Sequence, residues 1–288
     1  MVNHTKDGTT WCSALVGAAF GGHLDVVKLL VERGADVNAF GPGLTPLSYA
    51  LMYNKKDVAD YLRSVGAKEP RELVLRNIPA SHKAILKHFK QHRGKPAPLT
   101  LHEIVPSDPP IAIHVVQPTK KYEGYTLFTV GMSDKPLKMP DGSEHFAELA
   151  IYLPPSWQLT DDALRDPNWS WPIDWLRKIA LYPHETGSWL GASSLIFANE
   201  EPPQPLAPDT QLSCILALAD TGEFGHFQLP DYRWVTIHSL YAIYTEERDL
   251  EKREGTRHLV ELFEKHKIPR TLDIARPNVA LADEAKPK

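Results

Sequence analysis

The side chains able to do chemistry are scattered along this sequence rather than gathered. His88 and His92 stand four positions apart in a segment of helical character, a spacing that two zinc ligands on one helix face can use. The residues between them are Phe89-Lys90-Gln91, so the acid of a metalloprotease motif is missing and a solvated helix face is the simpler reading. His184 and Glu185 could act as an acid–base pair, but adjacent residues point apart and no nucleophile motif lies near. Gly191-Ala192-Ser193-Ser194 lacks the glycine that closes a nucleophile elbow. Cys12 and Cys214 are too few for a disulfide framework; both read as packing residues in a reducing compartment. No glycine-rich phosphate loop is present. These residues predict no metal, no cofactor, no small-molecule substrate and no catalytic centre. The expected class is a binding protein, with a hydrolase of unfamiliar design as the alternative.

Composition agrees. Of 288 residues, 42% are hydrophobic and 24% charged, as in an ordinary soluble globular chain. The net charge of −4 is interspersed in sign, whereas nucleic-acid binding leaves a basic stripe. The nearest candidate stripe, Lys83, Lys87, Lys90, Arg93 and Lys95, reads as the wet face of an amphipathic helix. The first residues are polar, and no run approaches the roughly 20 apolar residues that span a bilayer. A cytoplasmic protein without signal peptide is expected.

The elements that would carry a binding surface begin with an internal repeat. Aligning Gly34-Ala35 with Gly66-Ala67 places Asp25-Val26 on Asp57-Val58, Leu30 on Leu62, and Ser13-Ala14-Leu15 on Thr45-Pro46-Leu47. Each unit reads as two short helices around a tight connection, stopped by glycine. Gly22-His23-Leu24-Asp25-Val26-Val27-Lys28-Leu29-Leu30 and Gly34-Ala35-Asp36-Val37-Asn38-Ala39 resemble the ankyrin repeat. Ser48 stands where the pattern has His, and Asn54-Lys55-Lys56 where it has Gly-His. Two units are short of the roughly three that bury a continuous core. The second is therefore expected to lean on the next segment, through Leu73-Val74-Leu75 and Ala84-Ile85-Leu86. Ankyrin modules bind through hairpin tips and a concave helical face, which makes Phe40 and Leu44 candidate contacts.

Beyond Gly94 the pattern turns extended. Strands are predicted at Ile111–Val116, Tyr125–Val130, Phe146–Leu153, Ser193–Phe197, Ser213–Leu218 and Trp234–Leu240. In the third, Ala147, Leu149, Ile151 and Leu153 share one face and Glu148 and Tyr152 the other, which reads as a half-buried strand. Helices are predicted at Ile173–Tyr182 and across Glu246–His266 with a break at Gly255. The fold class is α+β: all-α ankyrin repeats, then a mixed α/β domain with a strand-rich core. Expected boundaries are 1–69 for the repeats, 70–95 for a helical connector or cap, 82–270 for the larger domain and 271–288 for a loosely ordered tail.

That domain resembles the suppressor-of-fused family. The resemblance rests on His102–Ser107, on Thr126-Leu127-Phe128-Thr129-Val130-Gly131-Met132-Ser133-Asp134-Lys135-Pro136, and on Ala147-Glu148-Leu149-Ala150-Ile151-Tyr152-Leu153-Pro154. Trp171-Pro172-Ile173, Leu181–Glu185 and Trp189-Leu190-Gly191 continue it. It implies a protein partner. Animal members hold Gli-type transcription factors by clamping an extended peptide between two lobes; bacterial members with one lobe look like immunity proteins that neutralise a toxin. One lobe is evident here, which favours the immunity-type inhibitor; an ankyrin-based scaffold or regulator capturing its partner by strand addition is the alternative. The candidate partner-binding loop is Tyr182, His184, Glu185 and Trp189.

Overall fold

The computed structural model describes residues 14–38, 45–68, 79–101, 107–190 and 194–284. It forms two compact units, residues 1–79 with 104–106, and residues 80–103 with 107–288. The first contains two helical pairs, α1 (Ala14–Gly21) with α2 (Leu24–Glu32) and α3 (Pro46–Met52) with α4 (Lys56–Ser64).

The repeat is written into the backbone. Gly34 and Gly66 end α2 and α4 at φ of 81° and 90°. The next amides then close the same bond back over the helix end, Ala35 N to Leu30 O at 3.0 Å and Ala67 N to Leu62 O at 2.9 Å. At the inner connection Gly22 and Asn54 occupy equivalent positions at φ of 78° and 52°. Asparagine tolerates that left-handed conformation, so the second unit keeps its turn without the glycine. Thr45 caps α3 by accepting Ser48 N at 3.2 Å, and the two hydroxyls meet at 2.9 Å. Leu15, Ala19, Val27, Leu47, Val58 and Leu62 fill a shared core. Val58 is 1% exposed but its repeat equivalent Val26 is 46% exposed: Val26 sits on the side where a preceding repeat packs in a longer stack. The candidate contacts Phe40 and Leu44 lie outside the described residues.

The second unit is a sheet with helices on both faces. Its strands are β1 (Pro96–Leu101), β2 (Ala112–Val116), β3 (Tyr125–Val130), β4 (Leu137–Lys138), β5 (Glu144–Leu153), β6 (Ser194–Ala198), β7 (Cys214–Ala219), β8 (His226–Gln228) and β9 (Trp234–Ile243). They run in the order β1-β2-β3-β5-β9-β7-β6, with β4 on β5 and β8 on β9. Only β5 and β9 pair in parallel among these ladders. The crossover this requires includes α6 (Pro167–Thr186), whose Ile173, Leu176, Ile179 and Ala180 join the core cluster of Leu127, Leu149, Ile151, Ala217 and Leu240. The opposite face is covered twice. Helix α5 (Ala80–His92) lays Ile85 and Phe89 on Phe128, Ala150 and Ile237. Helices α8 (Thr245–Glu254), α9 (Thr256–Lys265) and α10 (Val279–Glu284) cover Cys214, Leu216 and Ile243. The short α7 (Gly222–Gly225) precedes β8.

Four expectations change. Ile85 packs in the second unit's own core, so α5, expected as a connector or cap, belongs to the sheet unit from Ala80 onward. β5 is buried on both faces, with Glu148 at 0% and Tyr152 at 4% exposure, because the turn at Gly131–Asp134 covers Glu148 and α5 covers Ala150 and Tyr152 on the side that alternation had left to solvent. Helix α6 runs through Pro172 and Pro183 to Gly187 at φ 69°; both prolines are buried against the sheet, and that packing offsets the lost backbone bonds. Residues 271–284 are not a loose tail. Leu272 N donates to Tyr152 O at 2.7 Å, and Arg276, Val279 and Ala280 are 5%, 0% and 1% exposed.

Candidate functional site

The segment Thr126–Pro136 leads β3 into a tight turn at one end of the sheet. Gly131 starts it at φ 113°, and any Cβ there would lie 2.3 Å from Pro110 O, so glycine is required. A single buried carboxylate holds the 3₁₀ turn Met132–Asp134. Glu148 Oε2 accepts Thr129 Oγ1 at 2.6 Å, and Oε1 accepts Gly131 N, Ser133 N and Ser133 Oγ at 3.1, 3.0 and 2.7 Å. Burial pushes this carboxyl above its usual range, while the four donors pull it back. The outside of the turn is fixed as firmly. His184 Nε2 donates to Met132 O at 3.1 Å, His82 Nε2 meets Asp134 Oδ2 at 2.7 Å, and Lys135 pairs with Asp108 at 2.6 Å.

A hairpin stands beside it. Between β8 and β9, Tyr232 turns the chain at φ 69°, with its N–H on Leu229 O at 3.0 Å and its carbonyl held by Gln228 Nε2 at 3.1 Å. Arg233 is gripped from two sides. Its Nε and Nη2 bond Asp231 Oδ2 at 2.9 and 2.7 Å, and its Nη1 donates to Ser133 O at 2.6 Å. That clamp turns the flanking aromatics outward: Tyr232 is 81% and Trp234 61% exposed. The arrangement offers two rigid aromatic anchors on a pre-organised turn, which suits contact with a macromolecule and offers nothing to a reacting bond.

Under the hairpin lie three imidazoles. The rings of His145 and His238 are 6.1 Å apart, and His226 Nδ1 meets Thr236 Oγ1 at 3.1 Å. Burial, then the charges of His238 and His226, bring His145 down from 6.5 to about 4. Folding thus favours the neutral ring. Its contribution to stability is complete above the unfolded pKa and is lost as pH falls from there through about 4. Allowing for solvent around a half-exposed ring, the loss is about 1–2 kcal/mol. Denaturant titrations from neutral to acid pH should show that decline, and His145→Asn should flatten it. An unchanged slope in the variant would refute the assignment.

The sequence-predicted site residues separate. Tyr182, His184 and Glu185 lie in the last turns of α6, not in a loop. His184 joins the Glu148 turn, and burial lowers its pKa. Tyr182 points elsewhere, edge-on to Phe197 of β6 at 5.3 Å and 86°. Trp189 is 44% exposed, and Glu185 is exposed on the helix end. Strand β6 pairs with β7 alone among the described residues, and Asn199 N bonds Ser213 O at 3.0 Å. By the alternation of an antiparallel ladder, Ser194, Ile196 and Ala198 turn their backbone groups to the open side. His88 is a packing residue: it stacks on Phe227 at 4.0 Å and 12° and donates Nε2–H to Phe224 O at 2.8 Å. Cys214 is fully buried, which raises its thiol pKa. Among the described residues no three His, Cys, Asp or Glu side chains gather as a metal site, and no helix is long and apolar enough to cross a membrane.

Sequence reasoning missed Tyr232. Leu229-Pro230-Asp231-Tyr232-Arg233-Trp234 carries turn residues, but nothing local says that both aromatics face out.

The family model of the suppressor of fused protein matches residues 107–277, more than half of the chain. The chain belongs to the suppressor of fused family. An ankyrin-repeat model of three copies matches residues 2–71. Over 71 residues the chain is 46% identical to ankyrin repeat and SAM domain-containing protein 6 of Danio rerio, covering 24% of this chain and 9% of that protein. Among solved structures, the suppressor of fused in the Sufu–Fu complex aligns at TM-score 0.50 and 15% identity, over 70% of this chain and 93% of that one. Drosophila Suppressor of Fused aligns at 0.51 and 16%, over 71% of this chain and 54% of that one. These likenesses establish a suppressor of fused fold joined to ankyrin repeats.

Proposed function

We propose that this chain binds a protein partner without catalysing a reaction on it, and that the sheet end bearing Tyr232 and Trp234 is a contact surface. The observation that carries the reading is the outward display of both aromatics on a hairpin clamped by Arg233. Nearby β4 and β8 each pair on one side among the described residues, so an extended partner segment has backbone groups to meet. The relative crystallised with Fu supports a protein partner. With one lobe evident in the chain, an inhibitor that neutralises a toxin is the first reading; a regulator of a signalling or transcription factor is the second.

The test uses the full chain as bait, then titration of the purified partner. Tyr232→Ala and Trp234→Ala should each weaken binding by about 2 kcal/mol, roughly 30-fold in Kd. Melting temperature should hold, since both side chains are exposed. Full affinity in the double variant would move the contact to the β6 edge, where Tyr182→Ala would then be the damaging change. Neutralisation of a toxin domain by the pure chain would support the inhibitor, and a signalling partner the regulator.

A further inference from the structure

At the other end of the sheet a second surface carries five cations that form no ion pair among the described residues. Arg93, just past α5, lies over three rings at once, with its guanidinium carbon 5.0 Å from the Tyr122 centroid, 4.6 Å from Tyr152 and 4.4 Å from Phe224. Its Nη2 donates to Tyr152 Oη at 3.1 Å, and its Nε is buried without an acceptor among the described residues. Lys121 stands on the same Tyr122 ring, its Nζ 5.1 Å from the centroid. The loop bearing both is fixed: Thr119 N bonds Tyr122 O at 2.7 Å, Tyr122 N bonds Thr119 Oγ1 at 3.0 Å, and Thr119 packs on Gly94. Lys90, Lys95 and Lys120 are exposed on these same segments. Glu123 is close in sequence, Glu223 adjoins Phe224, and Asp220, the carboxylate acting on Tyr152, pairs with Arg270 at 2.7 Å; none of the three forms an ion pair with the five cations among the described residues.

Two cations held on one phenol repel each other, and the rings that attract each singly do not relieve that repulsion. An anion seated across Tyr122 would relieve it. We propose that Lys90, Arg93, Lys95, Lys120, Lys121 and Tyr122 form a docking surface for a short acidic peptide segment of a protein partner. Carboxylates at side-chain spacing match five cations spread over a helix end and one loop. The chain's net charge of −4 meanwhile repels a long polyanion such as nucleic acid. The surface is independent of the aromatic hairpin.

A fluorescein-labelled oligoglutamate peptide, titrated by anisotropy against the full chain at low ionic strength, tests this. Lys120→Glu with Lys121→Glu should weaken binding by about tenfold or more. Lys83→Glu with Lys87→Glu, the same charge change in the first turns of α5, should leave it intact. Tyr122→Leu should weaken it severalfold at unchanged charge; if that variant melts early, the lysine pairs decide alone. Trp234→Ala should have no effect, so failure here and failure of the hairpin reading are separable. No binding by the parent chain, or equal loss from both lysine pairs, would overturn the proposal. So would tighter binding to an oligothymidylate or to phosphatidylserine vesicles lost in the same variants, which would hand the surface to another partner class.

Discussion

Replacing Arg276 with alanine is expected to cost the sheet domain about 3–5 kcal/mol, a large part of the 5–15 kcal/mol that holds a typical domain together. The guanidinium is 5% exposed and its partner Glu247 0%. Arg276 Nη1 donates to Glu247 Oε1 at 2.7 Å, Nη2 pairs with Oε2, and Nη2 also donates to Ala242 O at 3.0 Å. The same carboxylate accepts Val279 N at 3.0 Å and Tyr244 N at 3.1 Å, and Tyr244 Oη closes on Arg276 O at 2.6 Å. Removing the arginine leaves a buried charge facing only neutral donors. Glu247→Gln combined with Arg276→Met, which removes both charges, should cost less than Arg276→Ala alone. Deleting residues 271–288 should cost more than either, because Leu272 and the buried Val279 and Ala280 go too. Urea unfolding followed by the buried tryptophans of the sheet domain, Trp157, Trp171 and Trp175, reads all three. Equal stability for the deletion and the parent chain would mean that the segment merely lies on the surface.

This segment shows where the sequence is legible and where it is not. Local signals carried well. The glycines at 34 and 66, the existence of the strand β5 and the break at Gly255 between α8 and α9 all express local preferences that neighbours do not override. What failed was set at a distance. Residues 271–284 read as loose because prolines and mixed charge are poor evidence for a core, yet one arginine finds a carboxylate 29 positions away. Tyr182, His184 and Glu185 read as a loop because Pro183 should stop a helix, whereas burial against the sheet carries α6 past it. The second covered face of β5 and the outward turn of Tyr232 and Trp234 likewise depend on α5 and on Ser133, remote in sequence. The family segment Thr126–Pro136 was visible as a pattern, but its reason appears only when Glu148 is placed under it.

Glu148→Ala is expected to be the most damaging change at the candidate site, at about 4 kcal/mol. Four donors converge on this carboxylate, and a buried donor left without an acceptor costs about 1–3 kcal/mol, less whatever relaxation recovers. Glu148→Gln should be milder, about 1–2 kcal/mol, since the amide oxygen keeps part of the set while its NH₂ meets Thr129 or Ser133 as a rival donor. The two variants separate stability from function. The glutamine protein should remain folded, yet its Met132–Asp134 turn should loosen, and Ser133 O would no longer be placed for Arg233. Without that acceptor the clamp on Tyr232 and Trp234 has one side. Partner affinity should therefore fall in Glu148→Gln although residue 148 is sealed from any partner, and the Gly131 and Ser133 amides should exchange their hydrogens faster than in the parent. Faster exchange with undiminished affinity would uncouple the turn from the hairpin. Unchanged exchange would mean that the amide replaces the carboxylate in full, and that the ionised oxygen pair is not what shapes this end of the sheet.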